Sequence, residues 1–204
     1  MSKRSFSTIE RIGLSSGLVS PIVAFTCILS AIASYPEFSW THNALSDLGI
    51  IEGITAPLFN IGLCISGFFG FLFSVFALYP FLKQHLTGKL GSAVFAAVTL
   101  TLISIGIFNE HYVPIHFLVS VIFFTLVPIS LFILTSAFYL SRQRSMAVFT
   151  IAVGIAAALP WIFQYTFNYF TRVAIPETLS AIAVSVWVII VVIKIIKRHN
   201  LLYI

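Results

Sequence analysis

Long apolar runs alternate with short polar breaks along the whole chain. Six runs are long enough to cross about 30 Å of hydrocarbon, because a helix rises about 1.5 Å per residue. The pattern predicts an all-α fold, a bundle of six transmembrane helices forming one integral membrane domain over residues 1–204. The breaks are too short to fold into a second unit. The predicted spans cover residues 12–35, 55–79, 90–108, 116–140, 146–167 and 176–196.

The charged residues divide between the two ends of this predicted bundle. Every Lys and Arg except Arg172 lies near a terminus or in the breaks at 83–89 and 141–145, and every acid except Glu10 lies in or beside the other three breaks. Segments rich in Lys and Arg stay in the cytoplasm, so we expect a multi-pass protein of the cell membrane with both termini cytoplasmic. The basic residues near the termini are Lys3, Arg4, Arg11, Lys194, Lys197 and Arg198.

Composition supports the membrane class and limits the partners. Apolar residues make up 59% of the chain and charged residues 8%, whereas soluble domains are about a quarter charged. The net charge of +5 comes from short basic clusters beside apolar runs, which is the pattern of cytoplasmic loops. We therefore expect membrane lipids as partners and no nucleic acid.

Small residues recur every fourth position along the second predicted span, at Gly62, Ser66, Gly70 and Ser74. Such a stripe lets another helix approach closely. Two interpretations follow. The stripe packs helices within one subunit, or it forms the seam of a homodimer or of a contact with another membrane protein.

The first long break contains a stretch, residues 42–49, that predicts a short helical turn. Asn43 is its expected cap, and Gly49 is expected to end it with a positive φ. His42 and Ser46 are one turn apart, but five residues separate His42 from Asp47, which rotates them about 140° apart on a helix. Thr55 is expected to cap the second span in the same manner.

Polar side chains within the spans gather near the outer boundary. Asn60, His116 and Gln164 all lie there, and Glu110 closes the third span at the same level. A buried amide or carboxylate in hydrocarbon is costly unless it meets another polar group or water. We expect a bundle closed at the cytoplasmic end and open as a polar pocket at the other. The absence of such groups at mid-depth argues against a channel or transporter.

Four residues of this end are candidates for chemistry: His42, Asp47, Glu110 and His116. Imidazole and carboxylate groups from separate segments could hold Zn²⁺, which would activate a water against an ester, amide or phosphate. Their spacing does not match a metal motif on one helix, so the cofactor stays open. Ser46 as a nucleophile assisted by His42 is a second chemical possibility.

Three further residues are candidates for substrate binding. Arg172, the one basic residue on this side, could hold a lipid phosphate or carboxylate. Asn60 and Glu177 would complete the binding site. The same residues could instead have a purely structural role. In that case Asp47 or Glu110 pairs with Arg172, and the histidines form hydrogen bonds at the membrane interface.

The motif from His42 through Leu45-Ser46-Asp47-Leu48-Gly49, followed by Phe59-Asn60-Ile61-Gly62, resembles the signature of a prokaryotic family of six-helix membrane proteins, domain of unknown function 998. Members carry an Asn-Glu pair ending the third span and a His opening the fourth, matched here by Asn109, Glu110 and His116. The Ser-Asp-x-Gly loop is distantly similar to the eukaryotic DRAM-like and GPI-lipid-remodelling six-helix proteins. The resemblance implies a fold but no reaction.

Two functional hypotheses emerge from these observations. In the first, the chain is a lipid-interacting membrane protein with an outward polar His/carboxylate pocket, a lipid hydrolase or lipid-remodelling enzyme. In the second, it is a non-enzymatic membrane subunit or lipid-binding scaffold whose external loops dock a partner. Whether the chain is an enzyme is not determined by these residues.

Overall fold

The computed structural model describes residues 6–201, with side chains described as far as His199. Lys3 and Arg4, two of the basic residues near the amino terminus, lie outside this range. Within it the fold is all-α and contains no strand, and six helices are long and apolar enough to cross a membrane. These are α1 Thr8–Ala33, α2 Thr55–Leu82, α3 Leu86–Ile107, α4 Val113–Leu140, α5 Arg144–Phe167 and α6 Ala174–Leu201.

The predicted six-helix fold is confirmed, and each predicted span coincides with one of these helices to within a few residues at its ends. Pro114 lies in the first turn of α4, where its missing N–H costs no helical bond. That helix therefore begins at Val113, ahead of His116. Two short 3₁₀ turns, Leu45–Ile50 and Glu110–Tyr112, lie in the connections. These turns carry the candidate residues Ser46, Asp47 and Glu110.

The start of α2 differs from the prediction. Thr55 is the first helical residue and does not cap the helix; Ile54 stands in the cap position without a side-chain bond. The Thr55 hydroxyl is instead 2.8 Å from the hydroxyl of Ser34, which ends α1. This bond ties the beginning and end of the longest connection together. Near its other end α2 contains one π-helical turn, Ser74–Leu78.

Each helix packs against the next in the sequence, and α6 returns to α1, so the six form a closed ring. Phe6 stacks on His199 with ring centroids 3.8 Å apart, which places the start and end of the described chain at one end of the ring. We call this the basic end. We call the opposite end, formed by residues 34–54, 108–112 and 168–173, the polar end.

The small-residue stripe of α2 packs inside the ring. A side chain at Gly62 would collide with Cys27 of α1, and one at Gly70 would collide with Thr99 of α3. Ser66 and Ser74 are buried and donate to backbone carbonyls of α1 and α3. The four residues therefore pack within the chain, as the first interpretation predicts, and a homodimer or partner contact along this stripe stays a prediction.

Candidate functional site

The long connection at the polar end is shaped by Asp47. One of its oxygens, Oδ2, accepts the N–H of Ala44 at 3.0 Å and the side-chain amide of Asn43 at 2.9 Å. Asn43 in turn accepts the N–H of Ser39 through Oδ1. A carboxylate that accepts local N–H groups holds a turn that backbone bonds alone would leave open. The prediction that Asn43 caps this turn is wrong, because Ala44 occupies the cap position. Asn43 instead stabilises the turn through its side-chain bonds to Asp47 and to the Ser39 N–H.

Gly49 lies inside the 3₁₀ turn and does not have the positive φ that was predicted; the glycine that does is Gly53, at φ 82°. The carbonyl of Gly49 accepts the side-chain amide of Asn60 at 2.8 Å and that of Asn109 at 3.3 Å. A Cβ at Gly49 would lie 2.6 Å from Asn60 Oδ1. Asn60 therefore fastens the loop to α2 and does not line the cavity described below, which corrects its predicted role in substrate binding.

Arg172 joins two connections of the polar end. Its Nη2 is 2.5 Å from Asp47 Oδ1, and its backbone N–H donates to Thr41 at 3.3 Å. Two residues later, the backbone N–H of Ala174 donates to the carbonyl of Asn43 at 3.0 Å. The predicted pairing of the lone basic residue with an acid is present, and it straps residues 168–173 against the long loop.

The protonation of this pair follows from its surroundings. Burial of the Asp47 carboxyl favours the neutral form, but hydrogen bonds from Asn43, Arg172 and the Ala44 N–H outweigh burial, so its pKa lies below the ordinary value of 3.8. The bond to Asp47 raises the pKa of Arg172 above its ordinary value despite partial burial. The two groups are a charged pair at neutral pH.

Glu177 anchors the loop from beneath. It lies in the first turn of α6. Its side chain is buried, and Oε2 accepts the backbone N–H of Leu45 at 2.6 Å. That N–H begins the 3₁₀ turn and has no helical acceptor. The carboxylate thus fixes the position of the turn above the bundle.

Glu110 is the meeting point of three other polar groups. Its Oε1 accepts the Ser46 hydroxyl at 2.7 Å and lies 3.7 Å from Arg172 Nη2 and 3.9 Å from His116 Nε2. His116 Nδ1 is 2.7 Å from the carbonyl oxygen of Phe108. A carbonyl only accepts, so Nδ1 carries a proton, and in the neutral form of the ring the lone pair lies at Nε2. Ser120 lies 3.5 Å from that nitrogen.

These groups face one cavity of about 640 Å³ between α4, α5 and the loops of the polar end. Its polar wall is formed by Ser46, Glu110, His116, Ser120, Arg172 and Glu177. Its other wall is apolar and aromatic, with Phe117, Val121, Phe124, Trp161 and Tyr165. The cavity is therefore amphipathic, which suits a ligand with a polar head and an apolar body.

The structure separates His42 from the other predicted catalytic residues. His42 is exposed and does not line the cavity. Its Nδ1 lies 2.9 Å from Thr41 Oγ1 and 3.1 Å from Ser39 Oγ. The proposed pair of Ser46 with His42 is not formed, because Ser46 donates to Glu110 instead. The physical reason is the Asp47 turn, which directs residue 42 outward and residue 46 inward.

Zinc coordination by the four candidates is not supported by their arrangement. Among residues 6–201, no group of three or more His, Cys, Asp or Glu side chains is placed to hold a metal ion. His42 lies outside the cavity, and Asp47 already uses both oxygens on Arg172, Asn43 and Ala44. Glu110 and His116 remain neighbours, but as an acid–base pair.

Sequence reasoning missed several residues of the cavity wall. Ser120 lies one helical turn after His116, so the i, i+4 spacing could have identified it. Thr171 and the two aromatics of α5, Trp161 and Tyr165, carry no comparable signal. Gln164, expected among the polar groups, closes the α5–α6 connection by bonding both the N–H and carbonyl of Phe170.

Residues 18–194 match the family described as "Protein of unknown function (DUF998)". The chain belongs to this family. The match covers all six helices of the DUF998 protein except a few terminal turns. No curated protein and no solved structure matches the chain. The similarity to eukaryotic DRAM-like and GPI-remodelling proteins therefore stays a prediction.

We predict that Asp47→Asn flattens the acid dependence of stability. The pKa of Asp47 is depressed in the folded state, so its contribution is complete above its ordinary value of 3.8 and is lost as the pH falls further. At about pH 7 the variant should melt lower than the native chain, and the difference should shrink towards about pH 3. Thermal unfolding in detergent across this range measures it. A difference that stays constant with pH would contradict the assigned ion pair.

Proposed function

We propose that this chain is a lipid-interacting membrane protein that hydrolyses or remodels a lipid at the polar end. The single observation that supports this is the cavity, in which an acid–base pair, a guanidinium and an exposed apolar wall meet. Six helices that are long and apolar enough to cross a membrane support placement of the chain in the bilayer. The reaction and the substrate are the proposal.

The apolar wall explains how a lipid would reach the site. Phe117 is 65% exposed, Val121 43% and Tyr165 67%, although all three line the cavity. These side chains lie on α4 and α5, within spans long enough to cross the bilayer, so in a membrane they contact acyl chains. A lipid would enter sideways between these two helices and bring its head group to the polar wall.

Arg172 supplies the contact for an anionic head group. Its side chain is 47% exposed at the cavity wall. The hydrogen bond from Arg172 to Asp47 uses Nη2. Within residues 6–201, Nε and Nη1 of Arg172 have no protein acceptor. A guanidinium with unused N–H groups binds phosphate or carboxylate oxygens in a fixed geometry. Asp47 holds the guanidinium in place for that contact.

His116 would act as the general base in hydrolysis. Its Nε2 lone pair faces the cavity because Nδ1–H is bonded to Phe108. A water attacking the ester or phosphate centre gives its proton to Nε2, the bond to the leaving oxygen breaks, and the imidazolium returns the proton to that oxygen. Glu110, 3.9 Å away, stabilises the imidazolium charge. No step requires a metal.

One observation favours the non-enzymatic alternative. Asp47, Glu177 and Asn60 all bond loop groups, so much of the polar network orders connections. In a scaffold this network would present the polar end to a partner protein. In the enzyme proposal His116 and Glu110 have a chemical role. Their side chains, unlike those of Asp47, Glu177 and Asn60, do not bond the backbone of the long connection.

We also propose that the basic end lies in the cytoplasm and the polar end outside, in the cell membrane. Arg11, Lys83, Arg142 and Arg198 lie at or near the basic end. Positively charged segments near membrane helices remain cytoplasmic. The head groups that reach the cavity would then belong to the outer leaflet.

We predict that His116→Ala abolishes lipid turnover while His42→Ala does not. Loss of a general base costs about 10²–10⁴ in rate, and His42 lies outside the cavity. The purified chain in nanodiscs is incubated with mixed anionic phospholipids, and the products are followed by mass spectrometry. Glu110→Gln should reduce turnover as well.

The melting temperature distinguishes the two functions. An enzyme site predicts that the His116 variant keeps a nearly native melting temperature while turnover is lost. No turnover of any lipid by the native chain, together with lower stability and weaker partner binding in the variant, would favour the scaffold over the hydrolase.

We predict that a cysteine at residue 37 is labelled from outside intact cells and one at residue 84 is not. Glu37 is exposed at the polar end and Gln84 is exposed at the basic end. Glu37→Cys and Gln84→Cys are made after replacing Cys27 and Cys64 by Ala and treated with a membrane-impermeant maleimide. Labelling of residue 84 alone in intact cells would reverse the assigned orientation.

A further inference from the structure

A second cavity, of about 120 Å³, continues from the polar one into the centre of the ring. The two share four lining residues, Ser46, Ser120, Phe124 and Glu177. We call the place where these four lie the neck. Below the neck the lining is supplied by α1, α2, α3, α4 and α6, so this cavity is enclosed by the bundle.

The inner cavity is long compared with its volume. On α2 its lining runs from Phe59 to Gly70, and on α6 from Glu177 to Val188. Eleven residues of helix rise about 16 Å, which is about half of the hydrocarbon thickness. A space of this length and volume is a narrow channel along the bundle axis.

Three of the polar side chains along the channel, Ser20, Ser66 and Thr99, are already hydrogen-bonded within the bundle. Ser20 donates to the carbonyl of Ser66, and Ser66 donates back to the carbonyl of Ser20, both at 2.9 Å. Thr99 donates to Ala96 in its own helix at 2.7 Å. A water needs two to four polar partners to be held in a cavity, and apolar cavities stay dry or take apolar ligands. The fitting occupant is hydrocarbon.

The channel admits one chain and has a floor. An apolar cavity of about 150 Å³ accepts a single benzene, so 120 Å³ leaves no room for two chains side by side or for a fused ring system. At its lower limit the Phe95 ring packs against Phe73 and Trp187, with centroids 6.2 and 5.2 Å away. Phe73 and Trp187 are fully buried. These three aromatics would limit how deep a chain can reach.

We propose that the inner channel binds one unbranched hydrocarbon chain of the lipid whose anionic head group occupies the polar cavity. The inference rests on the proposed function and specifies its substrate class. The linkage between head group and chain lies at the neck, close to the Ser46 and Ser120 hydroxyls and within reach of His116. The bond offered to water is then the one that joins chain to head group, an ester in the simplest case.

The test uses a single-chain lysophosphatidylglycerol with a diazirine at the end of its acyl chain. The full chain in nanodiscs is given this probe at a low molar ratio and irradiated, and the labelled residues are identified by mass spectrometry. We expect the label on channel residues near the floor, such as Phe95, Val98 and Val188. Label confined to outward-facing residues would overturn the channel.

Two substitutions to Phe provide a matched comparison. Ala181 lines the channel, whereas Ala156 is exposed on α5. Ala181→Phe should reduce floor labelling about tenfold, because it overfills a narrow space, and Ala156→Phe should leave it unchanged. If Ala181→Phe does not fold, Ala24→Leu narrows the channel from α1. Unchanged floor labelling in a folded channel variant would overturn the proposal.

A third variant distinguishes failure of the channel from failure of the proposed function. Arg172→Gln removes the head-group contact but not the channel lining. Reduced labelling in both Arg172→Gln and Ala181→Phe supports the chain and head-group sites together. Reduced labelling in Ala181→Phe alone supports the channel and overturns the head-group assignment. If the native chain turns over lipid but the label is found only outside the bundle, the proposed function stands and the proposed channel is overturned.

Discussion

The polar end depends on one buried hydrogen bond, from the Leu45 N–H to the Glu177 carboxylate. A buried carboxyl group is costly unless it is hydrogen-bonded, and an N–H at the start of a turn lacks a helical acceptor. Each group therefore satisfies the other across 132 positions of sequence. The Asp47–Arg172 pair reinforces this arrangement from the solvent side. Together they hold the long loop over the ring and leave the space beneath it as a cavity.

The cavity combines two environments that usually lie apart. Its polar wall brings Glu110, His116 and Arg172 within a few ångströms of one another, while the exposed Phe117 and Tyr165 border the lipid-facing side. A soluble ligand would need only the first wall and a lipid tail only the second. The enclosed channel below the neck continues the apolar part. A lipid head group with one chain accounts for all three features at once.

The sequence was sufficient for the fold because apolar length and charge position act locally, and each span could be read separately. It also predicted an acidic partner for Arg172, the one basic residue among acids, but left open whether that partner is Asp47 or Glu110. It could not separate His42 from His116, because the direction of each side chain depends on the Asp47 turn and on the start of α4. Nor could it place Asn60, whose partner is the backbone carbonyl of Gly49. A hydrogen bond to a backbone carbonyl cannot be predicted from residue types, because every residue carries that carbonyl.

Hydrogen exchange at the Leu45 amide tests most directly whether the buried carboxylate holds the loop. In nanodiscs this amide should exchange slowly in the native chain and about tenfold faster in Glu177→Ala, because leaving the buried N–H without its acceptor costs about 1–3 kcal/mol. Glu52→Ala, a change at an exposed acid of the same connection, should leave the rate unchanged. Equal Leu45 exchange in the native chain and in Glu177→Ala would contradict the account.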